Sequence, residues 1–127
     1  NSSGASAQRV LVVDDNPDIA ESTSALLKLN HYEVRTASSA DEAVRVARVF
    51  SPTTVLMDIG MPRTNGYELC RMLRGSAETQ HARMVAVTGY SSTEMRQRAS
   101  EAGFDDYLLK PVDLETLDQI LTPRSAP

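Results

Sequence analysis

The sequence is poor in the residues that mark several protein classes. A single cysteine, Cys70, excludes an internal disulfide, so a reducing, cytoplasmic compartment is expected. The two histidines, His31 and His81, stand far from each other and from Cys70, which leaves no zinc-type spacing. Long hydrophobic runs are missing too. The longest, Val10 to Val13, Val55 to Met57 and Met84 to Val87, are of strand length, whereas a membrane span needs about 20 apolar residues, so no membrane contact by this domain is expected. Positive charge is in short supply: 13 Lys and Arg against 17 Asp and Glu give a net charge of −4 and no basic footprint for nucleic acid. Internal repeats and low-complexity segments are absent.

What is present suits one domain. Of the 127 residues, 41% are hydrophobic, enough for one sizeable core and too few for two ordinary domains. Residues 1–7 (NSSGASA) are small and polar, as a linker or expression scar would be, and lack the apolar centre of a secretory signal. The domain is expected over residues 8–122, with 123–127 a short flexible tail.

Within the domain, short apolar runs alternate with helical patterns. Strands are predicted at Arg9 to Val13, Glu33 to Thr36, Thr54 to Met57, Arg83 to Val87 and Asp106 to Leu109, mostly continuous apolar runs, as expected of strands covered on both faces. The first helix, Pro17 to Leu29, should turn Ile19, Leu26 and Leu27 inward and end at a left-handed Asn30. The second, Ala40 to Val49, offers Ala43, Val44 and Ala47, and the third opens at Asn65-Gly66 with Leu69, Met72 and Leu73 inward. The fourth carries Met95, Ala99 and Ala102 and ends near Gly103. The fifth, Asp113 to Leu121, buries Leu114, Leu117, Ile120 and Leu121, with Asp113 as N-cap. Right-handed crossovers then predict an α/β fold, a (βα)5 flavodoxin-like sandwich with a parallel sheet in the order 2-1-3-4-5.

In such a sheet ligands bind beyond the carboxyl ends of the strands, near the point where strand order reverses. Five polar residues stand there: Asp14 and Asp15 after strand 1, Asp58 after strand 3, Thr88 after strand 4 and Lys110 after strand 5. Each alone has an ordinary explanation, as a turn, a capping acid, a satisfied hydroxyl or a solvated lysine. Together they do not. Three carboxylates on one rim repel strongly, and one lysine cannot balance them, so protonation or a bound cation is required. An all-oxygen set with few carboxylates suits Mg²⁺.

The strings VLVVDDNPD (Val10 to Asp18), VLMDIGMPRTNGYEL (Val55 to Leu69), VAVTGY (Val85 to Tyr90) and GFDDYLLKPVD (Gly103 to Asp113) resemble the receiver domains of two-component response regulators, over Gln8 to Leu121. The resemblance implies that Asp58 is the phosphoacceptor, that Asp15 ligates Mg²⁺ directly and Asp14 through water, and that Gly60 gives its backbone carbonyl to the metal. Thr88 would close on a phosphoryl oxygen, Lys110 would pair with the same group, and Tyr107 would be the aromatic whose rotamer follows phosphorylation. It also implies a cis peptide at Lys110-Pro111. Gly60 and Tyr90, which vary in the family, would tune the lifetime of the phosphorylated state. Thr64 stands where the family usually has an apolar residue. Of 13 basic residues only two are lysine, yet one stands at 110, where a compact point charge suits a phosphoryl group.

The implied function is that of a phosphoacceptor, not an enzyme in its own right: it takes a phosphoryl group from a histidine kinase or histidine phosphotransfer protein and switches an interaction surface. The face of helix 4, strand 5 and helix 5 is the expected surface for a partner or a homodimer, with no direct contact to nucleic acid. Two alternatives compete. A haloacid dehalogenase-like phosphatase needs a second Asp two residues after its nucleophile, whereas Asp58 is followed by Ile59-Gly60 and Asp15 by Asn16-Pro17. A pseudo-receiver would have lost pocket residues that are all retained here. The non-Met start, the linker-like ends and the DIGMP and VTGY wording point to a piece of a hybrid sensor kinase, whose parent protein could be membrane-anchored; a single-domain regulator is the other expectation.

Overall fold

The computed structural model describes residues 8–60, 65–90, 92–110 and 112–121, with the side chain of Leu114 outside the described part. The expectations for Thr64, for the Lys110-Pro111 peptide and for Leu114 as a core residue therefore lie outside the described residues. Ten elements alternate: β1 (Arg9–Val13), α1 (Pro17–Leu29), β2 (Glu33–Ala37), α2 (Ala40–Phe50), β3 (Thr54–Asp58), α3 (Gly66–Arg74), β4 (Arg83–Thr88), α4 (Thr93–Ala102), β5 (Asp106–Leu109) and α5 (Leu114–Leu121). The strands form one parallel sheet in the order β2-β1-β3-β4-β5, the flavodoxin-like receiver order expected.

Strand side chains alternate between the two faces. Leu11, Val13, Val55, Met57, Met84 and Ala86 pack toward α2, α3 and α4, where Ala43, Ala47, Leu69, Cys70, Leu73, Ala99 and Ala102 meet them. Val10, Val12, Leu56, Val85 and Val87 face α1 and α5 through Ala20, Leu27, Leu117 and Leu121. A strand buried on both sides has no polar face, which is why β1, β3 and β4 read as unbroken apolar runs. Burying each larger side chain stabilises the fold by about 1.5–3 kcal/mol.

Every helix starts on a side-chain cap. Asn16 accepts from the N–H groups of Asp18 and Ile19, Ser39 from Glu42, Asn65 from Tyr67 and Glu68, Ser92 from Met95, and Asp113 from Thr116 at 2.7 Å. At the end of α1 the left-handed residue is His31 (φ 68°), one position later than expected, while Asn30 has φ −100°. The N–H of Tyr32 reaches back to the carbonyl of Leu27, and that of His31 to Lys28, closing a Schellman turn whose left-handed position is His31.

Two expected core residues point elsewhere. Ile19 is 39% exposed and Met72 56% exposed. The inward stripe of α1 is Ala20, Ser24 and Leu27, small residues that let the helix lie close to the sheet. In α3 it runs through Gly66, Tyr67, Leu69, Cys70 and Leu73, and at 3.6 residues per turn Met72 sits about 100° around the helix from Leu73, on the side away from Gly66 and Cys70.

Candidate functional site: an acidic rim with one lysine

The five polar residues converge because the ladder holds their backbones. Asp58 and Thr88 are the last residues of β3 and β4, paired to Val87 and Leu109 respectively. Asp14 donates its N–H to Ala37 O at 3.0 Å, and Lys110 donates its N–H to Thr88 O at 2.8 Å. Four adjacent strands thus aim their next side chains over one end of the sheet, at the β1/β3 reversal point.

Carboxylate oxygens of Asp14, Asp15 and Asp58 lie within 4.8 Å of one another, with Asp15 the most open of the three. At that spacing each pair of charges repels by about 3 kcal/mol for an effective dielectric of 20. Lys110 Nζ sits 2.8 Å from Asp58 Oδ2 and 3.3 Å from Asp14 Oδ2. Burial works against the lysine's charge, but the hydrogen bond and charge of Asp58, with Asp14 behind it, outweigh burial and raise its pKa above 10.5. Lys110 therefore stays a cation at neutral pH and offsets one of three negative charges. The remainder, on a buried Asp14 (4% exposed) and an Asp58 side chain only 12% exposed, is a demand for another cation.

The set fits Mg²⁺: all donors are oxygen, one carboxylate is open to solvent so that metal waters have room, and among the described residues no nitrogen or sulfur ligand joins the group. Asp14, Asp15 and Asp58 are the residues able to hold it.

Sequence reasoning missed two backbone donors. Gly60 N–H donates to Asp58 Oδ1 at 2.8 Å, and Asn16 N–H donates to Asp14 Oδ1 at 2.9 Å, so one oxygen of each acid is fixed and the other turned toward Lys110. The Asp-x-Gly and Asp-x-Asn spacings were visible, as local turns in which a carboxylate bonds the N–H two residues on. A Cβ at position 60 would lie 3.3 Å from Asp58 Oδ1 and 4.0 Å from Thr88 Oγ1, so any side chain there projects into the site.

Thr88 is 3% exposed, and its Oγ1 accepts from Tyr90 N–H at 3.3 Å. Tyr107 donates its hydroxyl to the Tyr90 carbonyl at 3.3 Å, while its ring packs on the α2–α4 core and the Arg96 guanidinium lies 5.1 Å from the ring centre. Tyr90 itself is 69% exposed, a loop tyrosine in solvent. Between α1 and α5, an apolar cleft of about 480 Å³ lined by Ile19, Leu26, Val112 and Leu117 reaches down to Asp58 and Lys110.

The sequence pattern of the response regulator receiver domain matches residues 10–122. This chain belongs to that family. The receiver is 38% identical over 109 residues to protein PilH of Pseudomonas aeruginosa, covering 86% of this chain and 90% of PilH. It is equally identical over 109 residues to response regulator MprA of Mycobacterium tuberculosis, but there it spans only 46% of the relative's length. Among solved structures it superposes with a TM-score of 0.81 and 30% identity on the receiver domain of sensor histidine kinase PA1611 from P. aeruginosa, covering 91% of this chain and 95% of that one. That structure has a magnesium ion coordinated in its active site cleft. As a receiver the chain is a phosphoacceptor module, and receivers pair with histidine kinases. No helix among the described residues is long and apolar enough to cross a membrane.

Asn16 joins fold and site, since its side chain caps α1 while its N–H holds Asp14. Asn16→Ala should lower stability by about 1 kcal/mol, the worth of a lost N-cap. Urea unfolding would measure it, and an unchanged midpoint would show that the cap contributes nothing here.

Proposed function

We propose that this receiver takes a phosphoryl group from a phosphohistidine donor onto Asp58. The observation that carries the reading is a carboxylate held by Gly60 N–H on one oxygen and by Lys110 on the other, within 4.8 Å of two further acids. An Asp58 oxygen would form the new O–P bond as the donor's N–P bond breaks and the imidazole leaves with the electron pair. Lys110 and the Thr88 hydroxyl would move onto the phosphoryl oxygens, so that charge neutralised in the resting site by Asp58 is neutralised in the product by the phosphoryl group. Mg²⁺, held by Asp14, Asp15, Asp58 and the Gly60 carbonyl, would supply the further positive charge that lets an anion approach an anion. The apolar cleft between α1 and α5 offers a helical donor protein a foothold beside Asp58.

The same reading supplies a route outward. Thr88 leaving for the phosphoryl group gives up the N–H of Tyr90, whose carbonyl holds Tyr107. Loop and ring then shift together and reshape the face of α4, β5 and α5 for a partner or a second copy. The parent protein is proposed to be cytoplasmic at this domain, and a hybrid histidine kinase fits the likeness to the PA1611 receiver; a single-domain regulator fits the likeness to PilH.

Acetyl phosphate with Mg²⁺ should add one phosphoryl group to the intact chain, read by mass spectrometry, and the adduct should vanish on chelating the metal. Beryllofluoride should shift amide signals from Met95 to Leu117 as well as those around Asp58. No adduct, or shifts confined to the Asp58 loop, would defeat the phosphoacceptor reading and the signalling route respectively.

Lifetime of the adduct depends on whether anything holds water in line with the O–P bond. Gly60 offers no side chain and Tyr90 stands in solvent, so loss of phosphate should be slow. Gly60→Asn and Tyr90→Glu should each speed it several-fold, which is about 1 kcal/mol of barrier. A phosphate-release time course in which neither variant is faster would remove both positions from control of lifetime.

A further inference from the structure

We propose that the β2 edge of the sheet pairs with the β2 edge of a second copy of this chain, antiparallel and centred on Val34. β2 is an outer strand, bonded to β1 on one side only. In the parallel β1/β2 ladder, Glu33 N–H bonds Gln8 O and Ala37 O accepts from Asp14 N–H, so Glu33, Arg35 and Ala37 turn their polar groups toward β1. By the alternation of a strand, Val34 and Thr36 turn their N–H and C=O outward, an open template for another strand.

Charge selects both the occupant and the register. Glu33, Arg35 and Thr36 are exposed, and Glu33 and Arg35 project on the same face, with Arg35 over the Phe50 ring of α2. In a two-fold antiparallel pair centred on Val34, Glu33 of each copy lies directly opposite Arg35 of the other, while Val34 exchanges its outward groups with Val34 of the second copy. Centring on Arg35 sets guanidinium against guanidinium, and centring on Thr36 leaves neither charge paired. The groove beside the edge also mixes both signs, with Arg9, Lys28 and Arg45 among Glu21 and Glu42. Such a surface suits its own copy better than a partner of one sign. The result is a continuous ten-stranded sheet, twice the five strands of one copy, whose two acidic rims face opposite ends. Phosphoryl uptake therefore neither requires nor is blocked by the pairing, and the α4–β5–α5 face at the other edge stays free.

Sedimentation equilibrium of the full 127-residue chain, from micromolar to millimolar concentration, should show a reversible dimer. Arg35→Glu places carboxylates opposite one another and Glu33→Arg places guanidinium groups opposite one another. Either variant alone should raise the dissociation constant at least about tenfold. An equimolar mixture of the two variants should recover dimer, because every facing pair is then opposite in sign. Unchanged phosphoryl uptake by each variant shows that it is folded. Amide exchange at Val34 and Thr36, but not at Arg35, should slow with concentration. A parent that stays monomeric at millimolar concentration, a mixture that fails to dimerise, or variants that dimerise as well as the parent would each overturn the proposal; dimer lost only on changing α4–β5–α5 residues would place the contact at the other edge.

Discussion

Asp58→Ala should lose phosphoryl uptake from acetyl phosphate below detection, a fall of at least about a hundredfold, while the fold survives. Three acids share the rim, so the outcome decides which is the nucleophile. Asp14 is 4% exposed with one oxygen tied to Asn16 N–H, leaving it poor access to an incoming phosphorus. Asp15 is open, and among the described residues Lys110 pairs with Asp58 and Asp14 and not with it. Asp58 alone has Lys110 at 2.8 Å and a fixed second oxygen. Removing it also relieves repulsion worth about 3 kcal/mol per neighbouring acid at an effective dielectric of 20, and Lys110 keeps Asp14 as its partner at 3.3 Å. Thermal stability should therefore hold or rise, and a dead variant cannot be explained by unfolding. An adduct that persists in Asp58→Ala, as intact mass and peptide mapping would reveal on Asp14 or Asp15, would sink the assignment.

The fold was legible because each level of the sequence agreed with the next. Val10 to Val13, Val55 to Met57 and Met84 to Val87 are apolar at every position, which only a sheet covered on both faces requires, and Asn65 and Asp113 mark helix starts where caps are found. The rim was legible from the strand ends, since Asp14, Asp58 and Thr88 are the first polar residues after those runs and Lys110 the first after Leu108-Leu109.

What could not be read depended on geometry finer than the pattern. Ile19 and Ala20 are neighbours on one helix, and only the close approach of α1 to the sheet decides that the smaller faces inward. Asn30 and His31 both stand at the end of α1, and the statistical preference for Asn at a left-handed position lost to the bonds from His31 and Tyr32 to Lys28 and Leu27. A side-chain list also cannot show that Gly60 acts on Asp58 through its N–H, because backbone donors carry no residue type. The exposure of Tyr90 follows from a loop that ties its backbone, not its ring, to Thr88 and Tyr107.

Lys110→Met keeps an unbranched stem of similar length and removes the charge, and it should act on chemistry and stability together. A preorganised charge aimed at a transferring group is typically worth about a hundredfold or more in rate, so phosphoryl uptake with Mg²⁺ saturating should fall by about that factor. Without metal the variant leaves three carboxylates within 4.8 Å and removes the cation that pairs with them among the described residues. It should lose about 1–2 kcal/mol, a value held down by the lysine's own 26% exposure. Because the group bound by native protein but not by unfolded chain restores stability, Mg²⁺ should raise the melting temperature of the variant more than that of the parent. The pH dependence has a definite sign. The pKa of Lys110 is raised in the fold above its ordinary 10.5, so its contribution is fully present below that value and fades as pH rises through the raised one. The stability gap between parent and variant should therefore be constant from neutral pH to about pH 10 and close in more alkaline solution. Urea unfolding at paired pH values, with and without Mg²⁺, measures all of this. A gap that persists unchanged in strong alkali would assign the effect to packing of the stem, and undiminished uptake by the variant would show that the lysine's charge takes no part in transfer.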